Sequence, residues 1–135
     1  MPEKLDTIEP EWLDEQDVVA IHRRQIAEHG GSEGVRDQGL LQSALARPQN
    51  AFHNHFISLA RLAAAYAFGI AKNHAFMDGN KRTALVVSLT FLRVNGYKVN
   101  SSQEENYRTF YALAEGKLSE EELAGWFENR AYKAA

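Results

Sequence analysis

An all-α domain of about six helices, two of them buried at its centre, is the fold class this sequence predicts. Three observations carry that reading. Residues 57–72 are apolar over most of a helical surface and rich in small side chains, among them Ala63, Ala64, Ala67 and Gly69. Small residues let helices approach closely, so this helix belongs inside. Residues 84–94 are apolar nearly all round as well, so the two helices must cover each other. Finally, Asp14, Ser101 or Ser102, and Ser119 stand where N-caps would open further helices, to be packed outside this pair.

Length and composition agree with a single domain over residues 1–135, with one core. The apolar fraction of 44% is ordinary for a globular protein. A net charge of −3 argues against a general nucleic-acid binder. There is no cysteine, which excludes a disulfide framework and a thiolate metal site. Residues 1–11 are too polar and acidic for a signal peptide, and the longest apolar run, 62–71, is too short to span a bilayer. The expectation is a soluble cytoplasmic domain without direct contact to nucleic acid or membrane.

In chain order, residues 1–12 read as a loosely held arm whose end Trp12 and Leu13 pin to the core. Asp14 caps the first helix, with Leu13 and Val18 as a hydrophobic staple. Val18, Ile21, His22 and Ile26 share one face, and His29-Gly30-Gly31 ends the helix. His22 reads as a packed, hydrogen-bonded histidine rather than a ligand. The glycine-rich connection 30–39 has no Lys-Ser/Thr ending and no preceding strand, so it is a tight turn rather than a phosphate loop. Asp37 then caps a short helix that Arg47-Pro48 is expected to end. Residues 49–56 have mixed character. His53 and His55 tempt a zinc reading, but no acid lies within the segment.

Beyond the central pair, Asn95-Gly96 stops the second core helix and residues 97–100 form a short extended piece. A capping box with Glu104 or Glu105 opens the next helix, whose inner face reads as Tyr107, Phe110, Tyr111 and Ala114. Gly116 ends it. Ser119 with Glu122, and Leu118 with Leu123, open the last helix, and residues 131–135 are expected to fray.

The connection between the two core helices carries the chemistry. It reads Asn73-His74-Ala75-Phe76-Met77-Asp78-Gly79-Asn80-Lys81-Arg82-Thr83-Ala84. A helix opening near Asn80 presents free N–H groups and a partial positive charge, which together bind anions. Gly79 allows close approach to the backbone. Lys81 and Arg82 stand in a first turn where stability alone would place acids, so an anion is expected to arrive. His74, in the loop that leads into this site, is suited to act as a general base. Asp78 can offer a carboxylate to Mg²⁺, and Phe76 reads as an apolar peg.

These residues resemble the signature of the Fic/Doc family, His-x-Phe-x-Asp/Glu-Gly/Ala-Asn-Gly/Lys-Arg, at seven positions of nine. Nucleotidyl-transferring Fic enzymes typically carry glycine where Lys81 stands and a second arginine where Leu85 stands. Lys81 followed by Arg82-Thr83-Ala84-Leu85 looks like the Doc branch, toxins of toxin–antitoxin modules. The pattern Gly30-Gly31-x-x-Gly34-Val35-Arg36-Asp37 also looks Doc-like, so the resemblance covers at least residues 18–95.

The resemblance implies phosphoryl transfer from ATP to a protein hydroxyl, a threonine of translation elongation factor Tu, with translation blocked. His74 would be catalytic. Gly79, Asn80, Lys81 and Arg82 would bind the nucleotide phosphates, and Asp78 would hold Mg²⁺. Phe52, His53, Asn54 and His55 would form a flap that positions the target. A small antitoxin protein with a disordered C-terminal segment would be the partner. Val86 departs from the asparagine that some Doc toxins carry there, a position that bears on nucleotide orientation. Nucleotidyl transfer of AMP or UMP, and a catalytically silent binding module, are the competing readings. The string Ser101-Ser102-Gln103-Glu104-Glu105-Asn106 also fits the inhibitory motif of some Fic enzymes. Capping explains the same residues without the missing arginine.

Overall fold

The computed structural model describes residues 9–54 and 58–134. The described residues form six helices and a two-stranded ribbon. Helix α1 spans Glu15–His29, α2 Gln38–Asn54, α3 Leu59–Asn73 and α4 Asn80–Val94. Strand β1, Tyr97–Val99, is followed by α5, Gln103–Ala114, α6, Glu120–Arg130, and β2, Ala131–Lys133. The expected all-α class holds.

Helix α3 is the centre of the domain. Ten of its residues, from Ala60 to Ala71, are buried, and it packs against α2, α4 and α6. Its small residues act as expected: a Cβ on Gly69 would stand 3.1 Å from the Ala44 Cα of α2. Helix α4 is the second inner helix, with no exposed residue between Arg82 and Leu92. Ser58 caps α3, accepting from the Arg61 N–H at 3.2 Å. Asp14 with Asp17, and Ser119 with Glu122, form full capping boxes.

The segment preceding α1 is fixed from Glu11 on. Trp12 stacks on Phe91, with centroids 5.9 Å apart, and meets Phe52 edge-on. Buried Leu13 donates its N–H to the Tyr66 hydroxyl at 2.9 Å, and that hydroxyl donates to the Leu13 carbonyl at 3.1 Å. Burial pushes the Tyr66 phenol up to about 12. Asn95, at the same C-terminal end of α4, clips the segment too, exchanging hydrogen bonds with the backbone of Glu11. Residues 1–8 of the expected arm lie outside the described residues.

Four expectations are corrected. Helix α2 does not stop at Arg47-Pro48 but continues to Asn54. A proline in a free helix costs about 3 kcal/mol. Here Pro48 is itself buried, and Ala51 and Phe52 beyond it pack on the core, so tertiary burial outweighs the break. Residues 131–133 do not fray: they pair antiparallel with β1, Val99 opposite Ala131. Tyr107 and Tyr111 are exposed; Phe110 is buried as expected, and Leu113 joins it on the inner face of α5. The box at Ser102 is half formed. Ser102 accepts from the Glu105 N–H, but the Glu105 carboxylate turns to Arg130 at 2.6 Å. That hydrogen bond holds the Glu105 carboxyl below the usual carboxylate range.

Candidate active site

Helix α3 ends at Asn73 with His74 as its C-cap, in the left-handed conformation at φ 52°. It is the one non-glycine residue with positive φ among the described residues. The chain then crosses to α4 through a loop held from three sides. Buried Phe76 plugs it into the core, as expected of a peg. Asn80, the first residue of α4, turns its side chain back onto Phe76. It accepts from the Phe76 N–H and donates to the Phe76 carbonyl, both at 3.1 Å. The Asn80 side chain is thus committed to the loop.

The second hold is His22 of α1. Its ring lies parallel to that of Phe76, and Nε2 donates to the Asp78 carbonyl at 2.8 Å. His22 is 3% exposed and is a packed, hydrogen-bonded histidine as expected, but one that grips the motif loop. The third hold is the segment 31–37. The Met77 N–H donates to the Gly34 carbonyl at 3.0 Å. The N–H groups of Arg36 and Asp37 donate to the Ala75 carbonyl, and Val35 bridges Phe76. The Arg36 guanidinium donates to the His74 carbonyl.

At the far end of the loop, Gly79 takes φ 75° and stands as N-cap of α4. No side chain caps this helix, and its first turn carries no acid. No acid within that turn offsets the N-terminal dipole, and Lys81 and Arg82 add to the positive field. Neither cation makes an ion pair among the described residues. Arg82 donates to the Gly30 carbonyl at 3.1 Å, with its Nε buried and unpartnered, and Lys81 lies over the Tyr111 ring. The Asp78 carboxylate accepts from the Gly79 N–H at 2.9 Å, and its other oxygen is 3.4 Å from the Ser32 nitrogen. That oxygen would be 2.7 Å from a Cβ on Gly31, so only glycine admits this approach.

His74, Asp78, Gly79, Asn80, Lys81 and Arg82 together line one cleft of about 300 Å³. The six residues expected to act together are therefore brought together. Next to it, a recess of about 210 Å³ shares Lys81 and Arg82 and is walled by Leu85, Asn106, Tyr107, Phe110 and Tyr111. The stacked Tyr107 and Tyr111 were not expected here.

Phe52 and His53 are not in this cleft. They lie toward the opposite end of the α3–α4 pair, where Phe52 touches Trp12 and His53 is 4.0 Å from Glu9. Trp12 in turn stacks on Phe91, eleven residues along α4 from Asn80, or about 16 Å at 1.5 Å per residue. The segment that does lie beside the motif loop is 31–37. The side chain of Asn54 and all of His55 lie outside the described residues. No group of three or more metal-ligating side chains occurs among the described residues, which do not include His55. Glu105, the candidate inhibitory residue, pairs with Arg130 rather than with the motif arginine. No helix of the described residues is long and apolar enough to cross a membrane.

Fold and site together define a helical domain with a cleft at a helix N-terminus, lined by two cations, a carboxylate and a histidine. The model of the Fic/DOC family matches residues 12–92, more than half of the chain. The chain belongs to the Fic/Doc family. It is similar to "Toxin Doc" of Mycolicibacterium smegmatis, 44% identical over 91 residues, covering 66% of this chain and 68% of that protein. It is also similar to "Protein kinase doc" of Escherichia phage P1, 36% identical over 90 residues, covering 66% and 71%.

Proposed function

We propose that this chain is a Doc-like toxin that transfers the γ-phosphoryl group of ATP to a protein hydroxyl. The observation that carries the reading is the shared cleft: His74 stands on the rim of the pocket that Lys81, Arg82 and the α4 N-terminus make positive. Phosphoryl transfer asks a protein mainly for charge neutralisation and positioning, which this arrangement supplies. The kinase and toxin names of the two similar proteins support the same direction.

In this mechanism the phosphates lie against the first turn of α4, held by its N–H groups, by Lys81 and by Arg82. Gly79 leaves room for them. His74 accepts the proton of the incoming hydroxyl as its oxygen attacks the γ-phosphorus, and ADP departs. Asp78, an exposed carboxylate lining the cleft, would hold a Mg²⁺ brought in with the phosphates. Bound there, the metal would offset phosphate charge. The target is a threonine of elongation factor Tu, and its modification blocks translation. A small antitoxin with a segment that folds on binding neutralises the toxin at the cleft.

The test is incubation of the purified chain with ATP, Mg²⁺ and elongation factor Tu, followed by mass spectrometry. A phosphate adduct is expected. An AMP adduct would transfer the reading to nucleotidyl transfer, which Leu85 and Lys81 disfavour. An unmodified factor would remove it as the target. Co-expression with the adjacent reading frame is expected to restore growth and to co-purify a small partner, and failure of both would remove the antitoxin.

A further inference from the structure

We infer that Arg36 is a positioning residue for His74, holding the backbone of the general base in its left-handed conformation. The inference rests on the phosphotransfer reading for its kinetic arm and on geometry alone for its structural arm.

Three facts converge on the His74 peptide. Its φ of 52° is a conformation that a residue with a Cβ rarely adopts, and every other positive φ among the described residues belongs to glycine. The imidazole makes no hydrogen bond among the described residues and is exposed, so its placement is set through the backbone. The His74 carbonyl is where outside force is applied: the Arg36 guanidinium donates to it from Nε at 2.9 Å and from Nη2. The Asn73 carbonyl lies 3.5 Å from the same Nη2. These are the carbonyls at the α3 C-terminus, where the helix dipole favours a cation.

Arg36 is itself well anchored. Its N–H donates to the Ala75 carbonyl at 2.7 Å. The next residue, Asp37, caps α2 by accepting from the Leu40 N–H at 2.9 Å. The guanidinium therefore works from a rigid helix start, not from a free loop. A fork that places two N–H groups on one carbonyl oxygen is specific to arginine, since an ammonium is a point charge. If helix termination were the whole role of position 74, glycine would serve without strain. The histidine is kept there under strain, and the guanidinium offsets it.

The test compares wild type with Arg36→Met and Arg36→Lys. Turnover is expected to fall about 10- to 100-fold in Arg36→Met, the scale of a misplaced catalytic group. Arg36→Lys should fall between the two. ATP affinity should stay within about twofold, because the phosphate-binding groups lie on α4. Backbone chemical shifts at His74 should lose their left-handed signature in Arg36→Met, while the rest of the spectrum is preserved. Unchanged shifts at His74 would overturn the inference even if wild type proved inactive on the chosen target. Equal losses of turnover and ATP affinity would overturn it too, as a merely structural role. An inactive wild type with altered His74 shifts in Arg36→Met would overturn the phosphotransfer reading and support the clamp.

Discussion

The ring of His22 lies on the ring of Phe76, centroids 3.9 Å apart and planes 8° from parallel, while its Nε2 donates to the carbonyl of Asp78. One side chain of α1 thus grips both the peg of the motif loop and the backbone of the candidate metal ligand. His22→Phe keeps the stacking and loses the donor. It should cost about 0.5–1.5 kcal/mol in urea unfolding, the net value of a typical hydrogen bond. It should also weaken ATP binding more with Mg²⁺ than without. Wild-type affinity in both conditions would show that the grip does not reach Asp78.

Gly31 reaches the same carboxylate from the other side. A methyl group there would stand 2.7 Å from the Asp78 Oδ2 and 3.1 Å from the Ile26 Cδ1, on a backbone with φ 120°. Gly31→Ala should therefore destabilise by about 1–3 kcal/mol through strain. It should also push Asp78 away, reducing Mg²⁺-dependent nucleotide affinity. Calorimetric titration of ATP with and without Mg²⁺ checks this. Gly34→Ala is a control for strain without the clash, since Gly34 also has positive φ but only the Met77 side chain near it, at 3.9 Å.

Arg82 and Lys81 should supply much of the nucleotide affinity. Each stands in an uncapped first turn without an acid partner there. Arg82→Ala should weaken ATP binding by about 1–3 kcal/mol, the range for a charge-assisted hydrogen bond. Calorimetry that found equal affinity for wild type and the Lys81→Ala/Arg82→Ala double variant would remove the anion site.

What the sequence carried, and what it withheld, follows from range. The motif is contiguous, so its spacing already put His74, Asp78 and the α4 N-terminus together. The central helices were legible because Ala-rich and Gly69-bearing stretches have one use, close packing, which the Gly69–Ala44 approach shows. Pro48 misled because a local breaking rule competes with burial of Ala51 and Phe52, which local reading does not weigh. The ribbon of residues 131–133 with 97–99 pairs segments far apart in the chain, and nothing near Ala131 announces it. For the same reason the tight-turn reading of residues 30–39 does not reveal that Gly34 and Arg36 meet the motif loop. Tyr107 and Tyr111 carry the helical spacing of a core face but line a recess instead.

Tyr66 gives the pH dependence a direction. Burial raises its phenol from 10.0 to about 12, so the folded state holds the proton more tightly than the unfolded chain. Its contribution is fully present below pH 10 and is lost as pH rises toward 12. Tyr66→Phe should remove this alkaline component and, because Leu13 loses both hydrogen bonds, cost about 1–3 kcal/mol at neutral pH. Urea midpoints at pH 8 to 11 for both proteins check it. Parallel pH profiles would mean that another group controls alkaline unfolding.

Expression of the wild-type chain should arrest bacterial growth, and His74 should be required. The proposed chemistry needs a base beside the anion cleft, and among the described histidines only His74 lines it. His22 is buried under Phe76, and His53 lies toward the other end of the central helices. Losing a general base typically costs about 10²–10⁴-fold in rate, enough to let cells grow. The fold should survive His74→Ala, because the imidazole is exposed and makes no hydrogen bond among the described residues. Alanine at φ 52° retains the backbone strain, so the comparison isolates the imidazole. Asp78→Ala should also relieve arrest, through the metal rather than the base. It should lower Mg²⁺-dependent ATP affinity, which His74→Ala should leave alone. Growth curves read the toxicity, and calorimetry on the purified variants separates the two causes. A His74→Ala protein as toxic as wild type would remove catalysis from the account and leave a domain that acts by binding.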